Sequence, residues 1–159
     1  MSQYPKAGDR FGPYLIVREV GHGGMGVVFA AQQSPLNRTV ALKVLNPRLA
    51  NDADFAARFQ REAALLMQAD SPHVIKVLDH GRVGECLYLA MQWVAGGDLA
   101  SYLKQHGQLP IHLAAELSAQ VGSALADAHA WGIIHRDVKP SNVLLATTGS
   151  SLFAYLCDF

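Results

Sequence analysis

The sequence predicts an α+β fold in two lobes, because strand patterns and helix patterns fall in different halves of the chain. Residues 14–94 contain five runs rich in β-branched and apolar residues, with a single helical pattern among them. Residues 99–159 are mainly helical and end in two short strands. A glycine pair within residues 95–98 interrupts both patterns, so we expect a hinge between the lobes there.

Local composition predicts the elements of the first lobe. Its first two strands flank a glycine cluster as a hairpin, and a helix from about Asp54 to Gln68 has Asp52 in position to cap its first turn. Strands are predicted at residues 14–21, 27–33, 39–45, 74–81 and 86–94.

One long helix dominates the second lobe. A short helix at residues 98–106 precedes it, and the strands 143–146 and 152–157 follow it. Pro110 lies where the long helix opens and Gly132 where it closes, which are the usual places for these residue types. An apolar stripe and many alanines on the other faces predict that this helix is buried on most sides.

Composition and charge argue against several classes of protein. The 159 residues are 50% hydrophobic and 16% charged, which is typical of a globular domain. The 13 Lys and Arg residues balance the 13 Asp and Glu residues. Cys86 and Cys157 form no CxxC pair, the N-terminus lacks a signal-peptide layout, and no run of about 18 apolar residues is present. We therefore expect no nucleic-acid partner, no membrane segment and a cytoplasmic location.

A glycine-rich motif at residues 21–28, GHGGMGVV, fits the pattern G-x-G-x-x-G-x-V. In a dinucleotide-binding fold such glycines lead into a helix. In a kinase-type loop they join two antiparallel strands and expose backbone N–H groups to phosphates. The strand-like VVFAAQ that follows argues against the dinucleotide fold. A kinase-type loop and a hairpin turn without a ligand remain as alternatives.

Lys43 and Glu62 form a candidate ion pair. Lys43 shares a strand face with Ala41, and an ammonium among apolar neighbours needs an anion. Glu62 falls on the apolar helix stripe with Phe59 and Leu66, where an unpaired carboxylate is costly. The alternative is that Lys43 extends to water and Glu62 lies at the edge of the helix.

The polar loop HRDVKPSN lies between two apolar segments and contains Asp137, Lys139 and Asn142. Phosphoryl transfer requires a carboxylate that receives the proton of the attacking hydroxyl, a cation that neutralises phosphate charge, and oxygen ligands for Mg²⁺. Asp137 and Asn142 match H-R-D-x-x-x-x-N in register. Together with the two earlier motifs, this loop favours phosphoryl transfer over a solvated loop that resembles the motif by chance.

With these motifs in order, the sequence resembles the eukaryotic-like protein kinase family, in particular the bacterial serine/threonine kinases. The motifs GHGGMGVV, VALK, RFQREAALL, HRDVKPSN and the terminal DF extend from Tyr14 to the last residue. The resemblance implies a protein-kinase-like two-lobe fold. Its complete five-stranded N-lobe with one helix would span residues 14–94, its hinge 95–98, and the first part of a mainly helical C-lobe 99–159. The KPSN sequence implies a Ser or Thr acceptor.

The resemblance also implies an ATP site. Backbone groups of the glycine loop would cover the phosphates, apolar side chains would enclose the adenine, and an acidic side chain would meet the ribose. The residues at these positions are Gly21, Gly23, Gly24 and Gly26 for the phosphates, Val28, Ala41, Met91 and Leu144 around the adenine, Gln92 and Val94 at its edge, and Asp98 at the ribose.

Catalytic and metal-binding groups are implied in the same way. The residues at these positions are Asp137 as catalytic base, Lys139 at the γ-phosphate, Lys43 with its partner Glu62 at the α- and β-phosphates, and Asn142 and Asp158 as ligands of Mg²⁺, with Mn²⁺ as an alternative metal. The stacked hydrophobic column of active kinases is matched by His135, Phe159, Leu66 and Val77.

The final residues, Asp158 and Phe159, match the first two positions of the D-F-G motif. The resemblance thus covers a partial kinase domain at residues 1–159, including the nucleotide site and little of the peptide-substrate site. We expect these residues alone to have little or no kinase activity, because a metal ligand beside a chain end is poorly held. The alternative is a non-catalytic module that binds ATP or docks on a full kinase, and a kinase–kinase dimer through the N-lobe is a candidate assembly.

Overall fold

The computed structural model describes residues 4–149 and 151–159, which form two compact units. The first unit consists of the described part of Met1–Gln68 together with Lys76–Trp93. The second consists of Ala69–Ile75 together with the described part of Val94–Phe159. The sequence pattern had placed Ala69–Ile75 with the first lobe, and the structure assigns this segment to the second unit.

An antiparallel sheet with the strand order β1-β2-β3-β4-β6-β5 forms the first unit. The five predicted strands are confirmed, and a two-residue strand, too short to give a sequence pattern, pairs with the first of them. Strand β5 begins at Val77 rather than Val74, because Val74 forms a bridge with Leu156 in the second unit. The bounds are β1 Arg10–Phe11, β2 Tyr14–Gly23, β3 Gly26–Gln33, β4 Arg38–Leu45, β5 Val77–Val83 and β6 Cys86–Gln92.

Two helices accompany this sheet, α1 (Pro47–Ala50) and α2 (Ala53–Gln68). Asp52 caps α2 as predicted, since its Oδ1 accepts a hydrogen bond from the Phe55 N–H at 3.0 Å. The single turn of α1 was not predicted. Its signal in the sequence is an Asn-Pro pair, in which Asn46 Oδ1 accepts from the Arg48 N–H at 3.0 Å and the proline occupies the first turn.

The two faces of the sheet differ in composition. Alternate residues of the strands point to one face and form the buried core of the unit. These core residues include Ile16, Val27, Phe29, Ala31, Val40, Leu42, Val44 and Ala90. Each large apolar side chain buried in this way contributes about 1.5–3 kcal/mol to stability. The residues between them belong to the opposite face, where four of the predicted nucleotide-binding side chains lie.

Two tyrosines share one carboxylate inside the first unit. The hydroxyls of Tyr14 and Tyr88 donate to Asp79 Oδ2 at 2.6 Å and 2.9 Å, which ties β2 and β6 to β5. Burial, together with the bond to Asp79, raises the pKa of both phenols, that of Tyr88 to about 12. Folding raises the pKa of Tyr88 from 10.0, so its protonated hydroxyl contributes fully to stability below about pH 10. This contribution is lost as the pH rises through about 12.

The second unit contains two α-helices, a short 3-10 helix at Pro140–Asn142, a hairpin and a connecting segment. The predicted helices and strands are confirmed. Its elements are α3 (Leu99–His106), α4 (Ile111–Ala130), β7 (Val143–Thr148) and β8 (Ser151–Leu156). Pro110 occupies the N-cap position of α4, and Gly132 follows its end in the left-handed conformation at φ 77°. Within residues 4–149 and 151–159, no helix is long and apolar enough to cross a membrane.

The expectation that α4 is buried on most sides is wrong. Only Leu117, Ala124 and Ala128 among its described residues are buried. Alanine has the highest intrinsic helix propensity, so a run of alanines can promote helix formation without facing a core. The helix packs on β8, where Gln120 Oε1 accepts a hydrogen bond from the Ala154 N–H at 2.6 Å.

Segment Ala69–Ile75 joins the second unit along β8. The Ile75 N–H donates to Leu156 O at 2.9 Å, and the Leu156 N–H donates to His73 O at 2.8 Å. The His73 ring stacks on Phe153 with 4.4 Å between centroids, and His73 Nδ1 lies 3.0 Å from a backbone carbonyl of the same strand. A carbonyl oxygen only accepts, so this nitrogen carries the proton. These contacts explain why β5 begins later than expected.

We expect Tyr88→Phe to lower the free energy of unfolding by about 1–3 kcal/mol, because the half-buried Asp79 would lose one of its two phenol donors. Denaturant titration followed by circular dichroism measures this loss. Tyr155→Phe is the matched control, because the Tyr155 hydroxyl makes no hydrogen bond in the described part of the chain. Equal losses in the two variants would contradict the role assigned to Asp79.

Candidate functional site

The glycine motif forms the turn of the β2–β3 hairpin. Gly23 pairs with Gly26 and strand β3 follows at once, which excludes the dinucleotide alternative, because that fold needs a helix after the glycines. A Cβ on Gly26 would lie 2.2 Å from Val44 O, so only glycine fits there. The Asn46 N–H donates to Met25 O at 2.9 Å. The tip is therefore attached to the β4 side of the sheet.

The other glycines of the motif have open space where a Cβ would lie. Backbone N–H groups can approach a phosphate closely only where no side chain intervenes. The residues with this open space are Gly21, Gly23 and Gly24. Their surroundings are compatible with the phosphate contacts predicted from the sequence.

Strand register brings four predicted nucleotide-binding side chains onto one face of the sheet. Val28 is paired with Lys43 across β3 and β4, and Ala41 is paired with Met91 across β4 and β6. Since Ala41 and Lys43 are two residues apart on one strand, all four side chains share this face. Ala41 and Met91 are buried, while Val28 and Lys43 are half-buried. The face combines an apolar surface with one ammonium group.

The predicted ion pair between Lys43 and Glu62 is not formed in this structure. Among the described residues, the carboxylate of Glu62 has no cationic partner within 4.0 Å. The buried residues of α2 are Ala63 and Leu66, so Glu62 lies beside them and is half-buried. A carboxylate in this position keeps part of its hydration and does not need an ion pair. The alternative, in which Glu62 lies at the helix edge, describes this geometry.

Gln92, the last residue of β6, has part of its backbone committed to other contacts. The Gln92 N–H donates to Lys76 O at 2.9 Å, and Gln92 Oε1 accepts from the Lys76 N–H at 3.0 Å. Gln92 can therefore offer only its carbonyl to an adenine edge. Asp98 caps α3, since its Oδ1 accepts from the Ser101 N–H at 2.9 Å and its Oδ2 from Ser101 Oγ at 2.8 Å. Each carboxylate oxygen has further acceptor capacity, so this cap is compatible with a ribose contact.

The loop that contains Asp137 is organised around a buried histidine, His135. Its Nδ1 accepts a hydrogen bond from the Asp137 N–H at 3.2 Å, so the ring proton is on Nε2, which donates to Cys157 O at 2.8 Å. The ring also contacts Phe159 at 4.6 Å between centroids. Asn142 Nδ2 donates to Asp137 O at 2.9 Å and to its Oδ2 at 3.3 Å. The structure thus brings together Asp137, Asn142 and the residues that follow β8.

Asp137 and Lys139 form an exposed pair in this loop. Lys139 Nζ lies 2.6 Å from Asp137 Oδ2. The hydrogen bond from Lys139, supported by its positive charge and by Asn142, holds the pKa of Asp137 below its usual value. The carboxylate is therefore ionised at neutral pH, beside a cation that can neutralise charge on a phosphate.

Asn142 and Asp158 fit a Mg²⁺ site by the type of their donor atoms. The Cys157 N–H donates to Asn142 O at 2.9 Å, which brings the residue before Asp158 against Asn142. Because Asn142 Nδ2 makes both bonds to Asp137, its Oδ1 can act as a metal ligand. No group of three or more His, Cys, Asp or Glu side chains suited to a metal occurs in the described residues. Mg²⁺ usually takes further ligands from water and phosphates, so this pair fits a metal that arrives with a nucleotide.

Two non-glycine residues beside the catalytic groups adopt the left-handed conformation. They are Arg136, at φ 66°, and Asp158, at φ 63°. Such conformations cost of order 1 kcal/mol and persist where surrounding bonds impose them. Here the surrounding bonds come from His135. It is bonded to Asp137, on the other side of Arg136, and to Cys157, the residue before Asp158. Nothing in the residue pattern indicates this strain.

Gly96 is a residue of the site that the sequence reasoning missed. A Cβ at this position would lie 2.1 Å from Leu145 O. The Leu145 N–H donates to Gly97 O at 2.8 Å, and Asp98 forms a bridge with Leu144. The absence of a side chain at Gly96 therefore lets residues 96–98 lie directly on β7, beside the predicted adenine contact Leu144. The signal was the glycine pair itself, which was interpreted only as a break between lobes.

Comparisons with known proteins agree with this geometry. Residues 14–159 match the protein kinase domain family. The serine/threonine-protein kinase PknD of Mycobacterium tuberculosis is 41% identical over 155 residues, and PknE of Mycobacterium bovis is 44% identical over 154 residues. These alignments cover 98% and 97% of this chain and 23% and 27% of those kinases, so the chain spans about a quarter of their length.

Solved structures show the same fold. The PknI kinase domain of Mycobacterium tuberculosis superposes with a TM-score of 0.83 at 34% identity, over 98% of this chain and 62% of that one. A structure of Rad53 residues 1–466 in complex with AMP-PNP superposes with a TM-score of 0.82 at 27% identity, over 92% of this chain and 38% of that one. The chain therefore belongs to the protein kinase family, among the bacterial serine/threonine kinases.

We expect Gly96→Ala to lower the free energy of unfolding by about 1–3 kcal/mol, because the new Cβ would overlap Leu145 O. Denaturant titration measures the change. Gly122→Ala is the control, since open space surrounds that helical position, and it should be neutral or stabilising by about 1 kcal/mol. A Gly96→Ala variant as stable as the unsubstituted chain would contradict the close approach to β7.

Replacing Lys139 with methionine should raise the pKa of Asp137 toward its usual value, because the largest cause of the lowered pKa is the hydrogen bond from Lys139. A carboxyl-detected NMR titration of Asp137 measures the shift directly. Lys104→Met, on α3, changes the net charge equally and should leave this pKa unaltered. An unchanged pKa in Lys139→Met would show that the 2.6 Å contact does not control the carboxyl group.

Proposed function

We propose that the polypeptide containing these residues is an ATP-dependent serine/threonine protein kinase, which transfers the γ-phosphoryl group of MgATP to a Ser or Thr hydroxyl of a protein. The observation that carries the proposal is the loop in which Lys139 and Asn142 donate to the ionised carboxylate of Asp137, while His135 accepts from the Asp137 N–H. Further support comes from the names of the relatives and from the AMP-PNP in the Rad53 structure.

The residues of the second unit would act on the acceptor and on the metal. Bound MgATP supplies the phosphoryl group and the metal charge that offsets the negative charge of the phosphates. Asp137 would orient the acceptor hydroxyl and take its proton at a carboxylate oxygen. Lys139 would neutralise charge on the γ-phosphate. Asn142 Oδ1 and the Asp158 carboxylate would serve as ligands of Mg²⁺, or of Mn²⁺ in its place.

The residues of the first unit would bind the nucleotide, together with hinge residues and Leu144. Backbone N–H groups of the β2–β3 hairpin would cover the phosphates, and Lys43 would bind the α- and β-phosphates. We propose that Glu62 pairs with Lys43 once the phosphates are in place, because α2 leaves this carboxylate half-buried and without an ion pair among the described residues. The adenine would lie among Val28, Ala41, Met91 and Leu144, with Gln92 O and the Val94 N–H at its edge and Asp98 at the ribose.

The protein partner and the location follow from the same proposal. The KPSN sequence, in which Lys139 contacts Asp137, resembles the form of the loop found in serine/threonine kinases. A kinase–kinase dimer through the N-lobe remains a proposal. A cytoplasmic location is also a proposal, because the cytoplasm supplies ATP. The second candidate function is a non-catalytic module that binds ATP or docks on a full kinase.

A transfer assay with the native polypeptide that carries these residues distinguishes the two functions. With radiolabelled ATP, Mg²⁺ and a Ser/Thr-rich protein substrate, we expect Asp137→Asn to reduce transfer by at least about 100-fold, because the acceptor loses its base. The affinity for MgATP should change little. Asp70→Asn, an exposed position in the segment before β5, is the control and should leave transfer unaltered.

MgATP binding without transfer in the unsubstituted polypeptide would favour the non-catalytic module. Transfer that survives Asp137→Asn would refute the role of Asp137 as base. The expectation that residues 1–159 alone transfer phosphate weakly or not at all stays a prediction. Robust phosphorylation by this segment, abolished in Asp137→Asn, would contradict it.

A further inference from the structure

The glycine hairpin is attached to the sheet on one side more firmly than on the other. On the β4 side, the Asn46 N–H holds Met25 O and Gly26 lies directly against Val44 O. On the β2 side, the neighbouring strand β1 pairs only with Tyr14 and Leu15. The part of β2 that leads into the glycines therefore has a strand on one edge only, and any restraint on its other side must come from side chains.

One such restraint is a contact between Tyr4 and His22. His22 lies between the first two glycines of the motif and is paired with Val27 of β3, a member of the buried core. The Tyr4 ring meets the His22 ring edge to face, with 6.0 Å between centroids and 75° between planes. Glu19 Oε1 lies 3.5 Å from His22 Nδ1, on the side of β2 that precedes the motif. The Tyr4 ring thus contacts β2 from outside the hairpin, at a residue within the glycine motif.

Tyr4 is held in place because the residues after it are bonded to β2. The Gly8 N–H donates to Ile16 O at 2.9 Å, and the Ile16 N–H donates to Asp9 O at 3.0 Å. Asp9 Oδ2 in turn accepts from the Lys6 N–H at 2.8 Å, which closes a turn two residues after Tyr4. Tyr4 is half-buried and packs against the core that also contains Val27. Residues 4–9 are therefore a fixed support, and the Tyr4 ring reaches the glycine motif.

We propose that Tyr4 is a positioning residue of the glycine hairpin. By packing on His22, its ring restricts movement of the β2 side of the hairpin and keeps the backbone N–H groups in the arrangement that binds phosphates. An aromatic contact of this kind changes an equilibrium by about three- to tenfold. The consequence for nucleotide binding rests on the function proposed above, whereas the restraint on the hairpin is a property of the first unit alone.

Hydrogen exchange measured by NMR on the chain of residues 1–159 tests the restraint without any nucleotide. In Tyr4→Ala we expect the amides of residues 22–27 to exchange about three to ten times faster, with no change in β7 and β8. Tyr4→Phe keeps the ring and should restore the original rates. Lys6→Ala, an exposed neighbour, is the matched control and should also leave the rates unchanged. The affinity for MgATP, measured by calorimetry, should fall in Tyr4→Ala by no more than the factor by which exchange is accelerated. It should not fall in Tyr4→Phe or Lys6→Ala.

Unchanged exchange at residues 22–27 in a folded Tyr4→Ala variant would overturn the proposal, as would equal acceleration in Tyr4→Phe. If Tyr4→Ala does not fold, His22→Ala removes the same contact from the hairpin and should accelerate exchange by a similar factor. If Tyr4→Ala does fold, the double variant should exchange no faster than either single variant, because both remove one interaction. If the unsubstituted chain binds no MgATP, the proposed function fails, while the exchange rates still decide whether Tyr4 holds the hairpin.

Discussion

The geometry of the second unit depends on the two hydrogen bonds of one buried imidazole. His135 can accept from the Asp137 N–H and donate to Cys157 O only as the Nε2-protonated tautomer, so a single protonation state fixes both contacts. Through them, the loop that carries Asp137 and the residues after β8, which include Asp158, share one support. Leaving either ring nitrogen of the buried His135 unpaired would cost about 1–3 kcal/mol. This cost is comparable to that of the two left-handed residues, Arg136 and Asp158, that these hydrogen bonds maintain. The site therefore places strained backbone and exposed charges around a satisfied, buried core.

In the first unit, strand register performs the equivalent task. A slip of one residue between β3 and β4 would move Lys43 from the face it shares with Val28 to the apolar core. The same slip would move the buried core residues to the opposite face, so their burial strongly favours the observed register. Asp79 joins three strands through two phenols, and Gly26 permits the hairpin to lie against β4. The two units thus use different means for the same purpose. Each unit fixes a small number of polar groups through hydrogen bonds and close packing that permit few other arrangements.

Local pattern was enough to predict most of this arrangement. Strand alternation, helix periodicity and the spacing of Asp137 and Asn142 are properties of short segments, and the structure contains the elements they indicated. What could not be predicted depends on contacts between segments distant in sequence. The close approach of Gly96 to β7 and the docking of Ala69–Ile75 on β8 leave no periodic signature. The half-burial of Glu62 depends on how α2 is rotated against the sheet, which a stripe of apolar residues does not define.

Our central claim is that Asn142 and Asp158 hold the metal of a bound nucleotide beside Asp137. Paramagnetic broadening tests it most directly. With ATP present, substoichiometric Mn²⁺ should selectively broaden the side-chain amide NMR signals of Asn142, and the effect should disappear when Asp158 is replaced by asparagine, because one of the two protein ligands is lost. The side-chain amide of Gln120, which is bonded to β8, serves as the reference and should stay sharp. Sharp Asn142 signals in the presence of bound Mn²⁺ and ATP would contradict the claim.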